Sequence, residues 1–184
     1  GGTPIQHQIV AGEKMSAVSV FKMSEGIDDG DIYKQIPFSL AGTLDEILSR
    51  MIDLGIVITR DFLQDLANDS VIFHPQLDLE NNPALKRRTQ ADGEIHLERA
   101  RTNSYEAIYN LVRGLNDPYP NAYITLTDGF LYLQSVQKRS KLPSESIVLN
   151  SGINGAGFNN DKLIVIQVSD GYALIAKSKF VPSK

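Results

Sequence analysis

The sequence predicts an α/β chain in two parts: an α/β front segment and a small, mostly antiparallel β-barrel carrying one helix. Three observations lead there. Two strand-like runs, Ser16–Met23 and Asp31–Phe38, flank a short acidic loop and lead into one long helical pattern. Residues 74–93 then hold Pro75, Pro83, Asn81-Asn82 and Asp92-Gly93 with no sustained periodicity, which is linker composition. Beyond them a short helical pattern precedes five strand-like runs separated by turn signals. The expected organisation is a front segment at 1–72, a linker at 73–93 and a barrel domain at 94–184.

Each element has a local cause. Thr3-Pro4 reads as an N-cap with proline at the first helical position, opening a short helix that ends near Ala11-Gly12. Thr43-Leu44-Asp45-Glu46 is a capping box, in which hydroxyl and carboxylate satisfy each other's free backbone donors. The helix it opens spaces Leu44, Ile47, Leu48, Met51, Phe62, Leu63 and Leu66 for one buried stripe. Its middle, Gly55-Ile56-Val57-Ile58, is apolar all round and calls for cover by the sheet or by residues outside this sequence. Asn68-Asp69-Ser70 closes it. A later helix opens at Asn103 or Ser104, with Glu106 placed to complete a capping box, and buries Ile108, Leu111, Val112 and Leu115 before Pro118. The strands expected after it are Ala122–Leu126, Phe130–Val136, Ile147–Leu149, Leu163–Val168 and Tyr172–Ala176. Thr127-Asp128-Gly129 and Ser169-Asp170-Gly171 fit tight hairpin turns between them.

Composition narrows the class. At 42% hydrophobic and 22% charged, the chain is an ordinary globular sequence. It has no cysteine, hence no disulfide and no thiolate chemistry. No apolar run reaches the length of a membrane span, so the expected compartment is the cytoplasm and no membrane partner is implied. His7, His74 and His96 share no metal-ligand spacing, so no metal is expected. Asn150–Gly157 is glycine-rich but lacks a lysine and a βαβ setting, and reads as a loop rather than a phosphate cradle.

The densest chemistry lies between the first two strands, in Met23-Ser-Glu-Gly-Ile-Asp-Asp-Gly-Asp-Ile32. Glu25, Asp28, Asp29 and Asp31 crowd a loop with Gly26 and Gly30. Glycines allow close approach of a ligand or of backbone. Clustered carboxylates repel unless a cation, a donor or a proton offsets them. A solvated hairpin turn has the same composition.

With Gly1-Gly2-Thr3-Pro4-Ile5-Gln6 just upstream, this loop resembles the formyltransferases that use 10-formyltetrahydrofolate, a family acting on methionyl-tRNA and on nucleotide-linked amino sugars. Their Arg-Gly-Gly/Ala-x-Pro-Ile/Leu-Gln stretch is followed by a strand and a Met-x-x-Gly-x-Asp-Thr-Gly-Asp-Ile/Met loop. Asp29 stands here where the family has threonine. Ile108–Tyr123, with Asp117-Pro-Tyr-Pro-Asn-Ala, resembles the helix and turn that open the family's C-terminal domain. Three motifs in family order make the signal specific.

The resemblance implies a fold: the later part of a Rossmann-like formyltransferase domain, then an open barrel of the oligonucleotide-binding type. It also implies a gap. The family's Asn-x-His segment and the first half of its sheet precede the Arg-Gly-Gly, so this chain is expected to be a C-terminal portion that is inactive alone. Asp28 becomes the catalytic aspartate. Glu25, Gly26, Ile27, Asp28 and Gly30 become the folate-side lining, with 10-formyltetrahydrofolate as formyl donor. Thr3 and Gln6 border the acceptor site, and Lys86, Arg87 and Arg88 reach acceptor phosphates, unless those cations are simply solvated loop charge.

Charge bears on the acceptor. Residues 1–73 carry five Lys and Arg against eleven Asp and Glu, a net of −6, and residues 74–184 carry thirteen against eleven, a net of +2. A tRNA-binding domain normally shows a basic face. The weak balance favours a nucleotide-linked amino sugar over tRNA, with methionyl-tRNA as the alternative acceptor. A third reading makes the barrel a non-catalytic nucleic-acid or oligomerisation module, leaving room for a homodimer. Tyr123, Phe130, Tyr132 and Tyr172 would be its stacking residues, unless they are core.

Overall fold

The computed structural model of the chain describes residues 3–26, 28–76, 85–150, 152–155 and 163–183. They divide into two compact units, one from Glu13 to Leu85 and one combining Gly2–Gly12 with Lys86–Lys184.

The first unit is a hairpin covered by one helix. Strand β1 (Met15–Phe21) runs antiparallel to β2 (Ile32–Ser39), pairing Met15 with Ser39 and Val20 with Lys34. Helix α2 (Leu44–Ala67) packs across both strands. Its capping box forms as expected: Glu46 N donates to Thr43 Oγ1 (3.3 Å) and Thr43 N to Glu46 Oε2 (2.8 Å). Leu44, Ile47 and Ile58 are buried with Phe38 and Leu40. Tyr33 donates to Asp65 at 2.5 Å, and that carboxylate pushes the phenol up to about 12. Lys34 Nζ lies 2.8 Å from Asp61 and lowers its carboxyl. Leu63 and Leu66, expected in the buried stripe, are exposed, because the two-stranded sheet reaches only one side of α2. The Rossmann-like remnant is not shown. Among the described residues the unit has no parallel strand pair.

The second unit is a mixed five-stranded sheet in the order β3-β4-β7-β6-β5. Its strands are β3 (Ala122–Leu126), β4 (Gly129–Arg139), β5 (Ser146–Val148), β6 (Leu163–Val168) and β7 (Gly171–Pro182). All neighbours are antiparallel except β5 and β6. Strands β4 and β7 outrun their expected lengths: their mutual register carries β7 through the exposed Lys177-Ser178-Lys179 that a hydropathy pattern reads as an end. Irregular register at Leu133–Val136 marks where β4 bends.

Three helices complete this unit. Helix α4 (Tyr105–Gly114) buries Ile108 and Val112 against Ile124, Leu131, Leu133 and Ile166. Its cap is Ser104, whose Oγ accepts from Ala107 N, so Glu106 lies one position short of a capping box. A short helix, α3 (Leu97–Ala100), was not foreseen. Helix α1 (Pro4–Ala11) packs on α4 rather than on the hairpin. Ile9 is fully buried, and a Cβ on Gly114 would meet its Cγ2 at 3.0 Å. Residues 2–12, expected with the front segment, therefore group with the five-stranded unit, which is a mixed sheet with β3 and β5 at its edges where a barrel was expected.

Asp170 ties the β6–β7 turn to α4. Its carboxylate accepts from Tyr105 N (2.6 Å) and from Lys138, and the lysine and the backbone donor hold it below the usual carboxylate range. A carboxyl lowered by folding contributes stability above its unfolded pKa and loses it as pH falls through the folded value. Asp170→Asn is expected to lower Tm at neutral pH and to flatten the fall in Tm below ~pH 4, where the free carboxyl titrates. Thermal denaturation across that range checks it.

Candidate functional site

The acidic loop joins β1 to β2 through a close backbone crossing. A Cβ at Gly30 would run into the Lys22 carbonyl, so only glycine fits there. Lys22 N donates to the Asp31 carbonyl (2.8 Å), closing the loop as an extension of the hairpin. At the tip Asp28 has φ 57°, the left-handed region that aspartate tolerates better than most residues. Ser24 Oγ donates to the Asp29 carboxylate, and that carboxylate occupies the space a side chain on Gly26 would take. Asp29 therefore braces the loop from within. Glu25, Gly26, Asp28 and Asp29 are all exposed, whereas Gly30 is buried. Ile27, the fifth expected lining residue, lies outside the described residues.

The loop has a partner that sequence reasoning missed. Gln76 Nε2 donates to the carbonyls of both Asp28 (2.9 Å) and Gly30 (2.6 Å). Two residues earlier, His74 exchanges both backbone hydrogen bonds with Ile32, at 2.7 and 2.8 Å. His74–Gln76, expected as the start of a linker, instead extends the hairpin on its β2 side and clamps the loop. No local pattern announces this, because the contact spans more than forty residues.

The other expected site residues lie in the second unit. Thr3 stands at the N-terminus of α1 with φ 51°, and its hydroxyl makes no cap bond. That left-handed backbone is not the extended conformation a capping side chain needs. Gln6 is buried on the same helix. His7 Nε2 donates to the Lys86 carbonyl (2.8 Å), which brings Lys86-Arg87-Arg88 to α1. Lys86 and Arg87 are exposed. Thr3 Oγ1, Gln8 Oε1 and Arg88 Nε are buried without a hydrogen-bond partner among the described residues. The expected acceptor-side residues thus share one unit, and the acidic loop belongs to the other.

The tyrosines flagged for stacking are not all core. Tyr123, Phe130 and Tyr132 form one aromatic cluster, with ring centroids 5.7 to 6.4 Å apart. Tyr123 is buried, and burial with the Glu94 carboxylate raises its phenol. Phe130 and Tyr132 are half-buried, and Tyr132 pairs across the ladder with Lys179. Tyr172 pairs with Arg139 at the far end of the same ribbon. Among the described residues no cluster of His, Asp and Glu could hold a metal ion, and no helix is long and apolar enough to cross a membrane.

Residues 89–182 match the family model of the formyl transferase C-terminal domain. The chain belongs to the formyltransferase family. A methionyl-tRNA formyltransferase from Lysinibacillus sphaericus is 35% identical over 136 residues, which is 70% of this chain and 40% of that protein. The solved methionyl-tRNA formyltransferase from Clostridium thermocellum matches all of this chain and 63% of its own, at 23% identity and a TM-score of 0.65. An N-formyltransferase from Helicobacter canadensis, solved with folinic acid and dTDP-3-aminofucose, matches 96% of this chain and 61% of its own, at 15% identity and a TM-score of 0.63. The two structures share the fold. The chain spans less than two thirds of the length of each of these formyltransferases.

Gln76→Ala removes two hydrogen bonds, an exposed one to Asp28 and a partly buried one to Gly30, the latter worth about 1 kcal/mol. The expected result is faster amide exchange confined to residues 24–31, with the α2 amides unchanged. Hydrogen–deuterium exchange followed by peptide checks it.

Proposed function

We propose that this chain supplies the acidic loop and the C-terminal domain of an N-formyltransferase that moves a formyl group from 10-formyltetrahydrofolate to the amine of methionyl-tRNA. The observation that carries the acceptor is the likeness to the L. sphaericus enzyme, a methionyl-tRNA formyltransferase. The preference for an amino sugar, drawn from a net charge of only +2 after residue 73, gives way. Net charge averages over a surface, and tRNA meets only part of one. Lys138, Arg139, Lys141, Lys177 and Lys179 are all exposed; Lys177 and Lys179 lie beside the aromatic cluster, while Lys138, paired with Asp170, and Arg139 lie at the far end of the β4–β7 ribbon. Lys177 and Lys179, alternate residues of β7, are the local positive charge offered to phosphates there.

In the transfer, the amine nitrogen bonds to the formyl carbon, the bond from that carbon to N10 of the folate breaks, the amine loses a proton to a base, and N10 takes up a proton as it leaves. Asp28 is the group of this chain proposed to steer that proton, by orienting the family's histidine. Its support is position: the loop tip is exposed, and Gln76 fixes its backbone. The loop also suits the donor. A pterin presents amino and ring N–H groups, and carboxylates and carbonyls accept them. Thr3 Oγ1 and Arg88 Nε, buried and without a partner among the described residues, support an acceptor contact at α1, since buried polar atoms are normally paired.

In the complete enzyme, Asp28→Asn is expected to leave folate binding intact and lower kcat by about two orders of magnitude or more. Undiminished turnover removes Asp28 from the reaction. The acceptor is tested with the 184-residue chain itself, by titrating initiator tRNA across a salt series. Binding should weaken steeply with salt, and Lys177→Ala and Lys179→Ala should each reduce the log–log slope by about 1. A flat salt response, with displacement by a dTDP-linked amino sugar, returns the acceptor to the sugar class.

A further inference from the structure

Two groups of aromatic rings in the second unit differ in what their faces meet. On α4, Tyr105 and Tyr109 stack on each other, with centroids 5.7 Å apart and planes 21° from parallel. Lys138 Nζ stands 5.7 Å from the Tyr105 centroid and Arg113 Cζ 5.3 Å from that of Tyr109, so neighbours already cover those rings. Phe130 and Tyr132, on β4, are tilted 47° to each other and do not stack. Both keep part of their surface in solvent, and Tyr123, edge-on to Phe130, is buried beside them.

The tilted group is held by its hydroxyls. Gln90 Nε2 donates to Tyr132 Oη (2.9 Å), and Tyr123 Oη donates to Glu94 Oε2 (3.5 Å). Thr125 Oγ1 donates to the other oxygen of that carboxylate (2.7 Å), and Glu94 bridges to Tyr123 along the edge of β3. Rings anchored at their polar ends lose little further freedom when a flat group settles on them. Register sets what surrounds them. Tyr123, Tyr132 and Lys179 stand directly opposite one another on β3, β4 and β7, and so share one face of the sheet. Lys177, two residues before Lys179 on the same strand, points to the same side. Positive charge therefore lies along β7, aromatic rings along β4, and the Glu94 carboxylate beyond β3.

We propose that this face is a stacking platform for unpaired bases of an RNA strand whose phosphates lie along β7. Base stacking needs an aromatic surface that neighbours do not cover, and the backbone beside it needs cations. Adjacent strands are about 4.8 Å apart, which sets the lysines of β7 and the rings of β4 one sugar's length from each other. The charges also give the strand a direction. Lys177 and Lys179 attract the phosphates and Glu94 repels them, so the base edges point toward β3, where the carboxylate accepts from their amino and ring N–H groups. A duplex keeps its base faces stacked on one another and offers none to the platform. The inference deepens the RNA reading of the acceptor, on which it rests, by naming the kind of segment this face takes: an unpaired one.

The test uses the 184-residue chain, which contains no tryptophan, so Phe130→Trp puts a single indole on the platform. A short oligouridylate is expected to quench that fluorescence on binding, and the same strand annealed to oligoadenylate is expected not to. Tyr132→Leu should weaken oligouridylate binding about tenfold without changing the slope of log K against log salt, because stacking on a ring releases no counterions. Tyr132→Phe keeps the ring and gives up only the Gln90 bond, so it should bind within about twofold of the parent chain. Circular dichroism and Tm accompany each variant, and Phe130→Leu takes the place of Tyr132→Leu if the latter does not fold. Quenching that is absent, or equal for strand and duplex, overturns the proposal. So does undiminished affinity in the leucine variant, and so does self-association of the chain that this variant disperses, which would assign the face to a second copy. Initiator tRNA that binds with a steep salt slope, at an affinity the leucine variant leaves unchanged, sinks the platform and leaves the acceptor standing. Oligouridylate that binds with quenching while the tRNA does not bind keeps the platform and sinks the acceptor.

Discussion

The Lys22 carbonyl lies where a side chain on Gly30 would stand, and the front unit is organised around that contact. It lets the two strands meet immediately beyond a loop of four carboxylates, with Lys22 N bonded to the Asp31 carbonyl. Repulsion among those acids favours an open loop, and the short crossing resists it. Ser24 takes up one carboxylate, Asp29, and Gln76 holds two carbonyls, so these contacts help fix the shape of the loop. The acids that remain exposed are presented by backbone that is already fixed, which is the condition for using a carboxylate in chemistry rather than in solvation.

What the sequence made legible was local. The Thr43–Glu46 capping box forms both of its bonds, because its partners are three residues apart and need no tertiary context. The end of α1 at Gly12 and the two hairpin turns in the five-stranded unit were legible for the same reason. Contacts closed over long separations were not. Gln76 sits in a stretch without periodicity, and only the fold brings it to Asp28. Periodicity also cannot tell two apolar sides of a helix apart, so Leu63 and Leu66 were assigned to the buried stripe with Leu44 and Ile47. The polar run Lys177–Lys179 looked like a strand end, and pairing with β4 overrides it.

The family motifs narrowed the candidate site further than composition did. They selected Asp28 among three neighbouring aspartates, and its left-handed backbone sets it apart from Asp29 and Asp31. Charge, by contrast, favoured an amino-sugar acceptor, and the likeness to methionyl-tRNA formyltransferases favours the alternative. The front segment's acids and the back segment's cations belong to separate units, and a sum over either hides the exposed lysines on one ribbon.

Helix α1 has a consequence for how the chain can be made and cut. The five-stranded unit is discontinuous: its first helix is synthesised before the whole of the hairpin unit, and the rest comes after. The surface of α4 that receives Ile9 therefore emerges only after the hairpin unit and finds its cover already made. Trimming the chain back to its family-matched portion, 89–182, would keep every strand of the sheet yet strip α4 of that cover. The boundary drawn by sequence similarity is thus not the boundary of the physical domain, and a stable excised domain must carry residues from both sides of the unit it leaves behind.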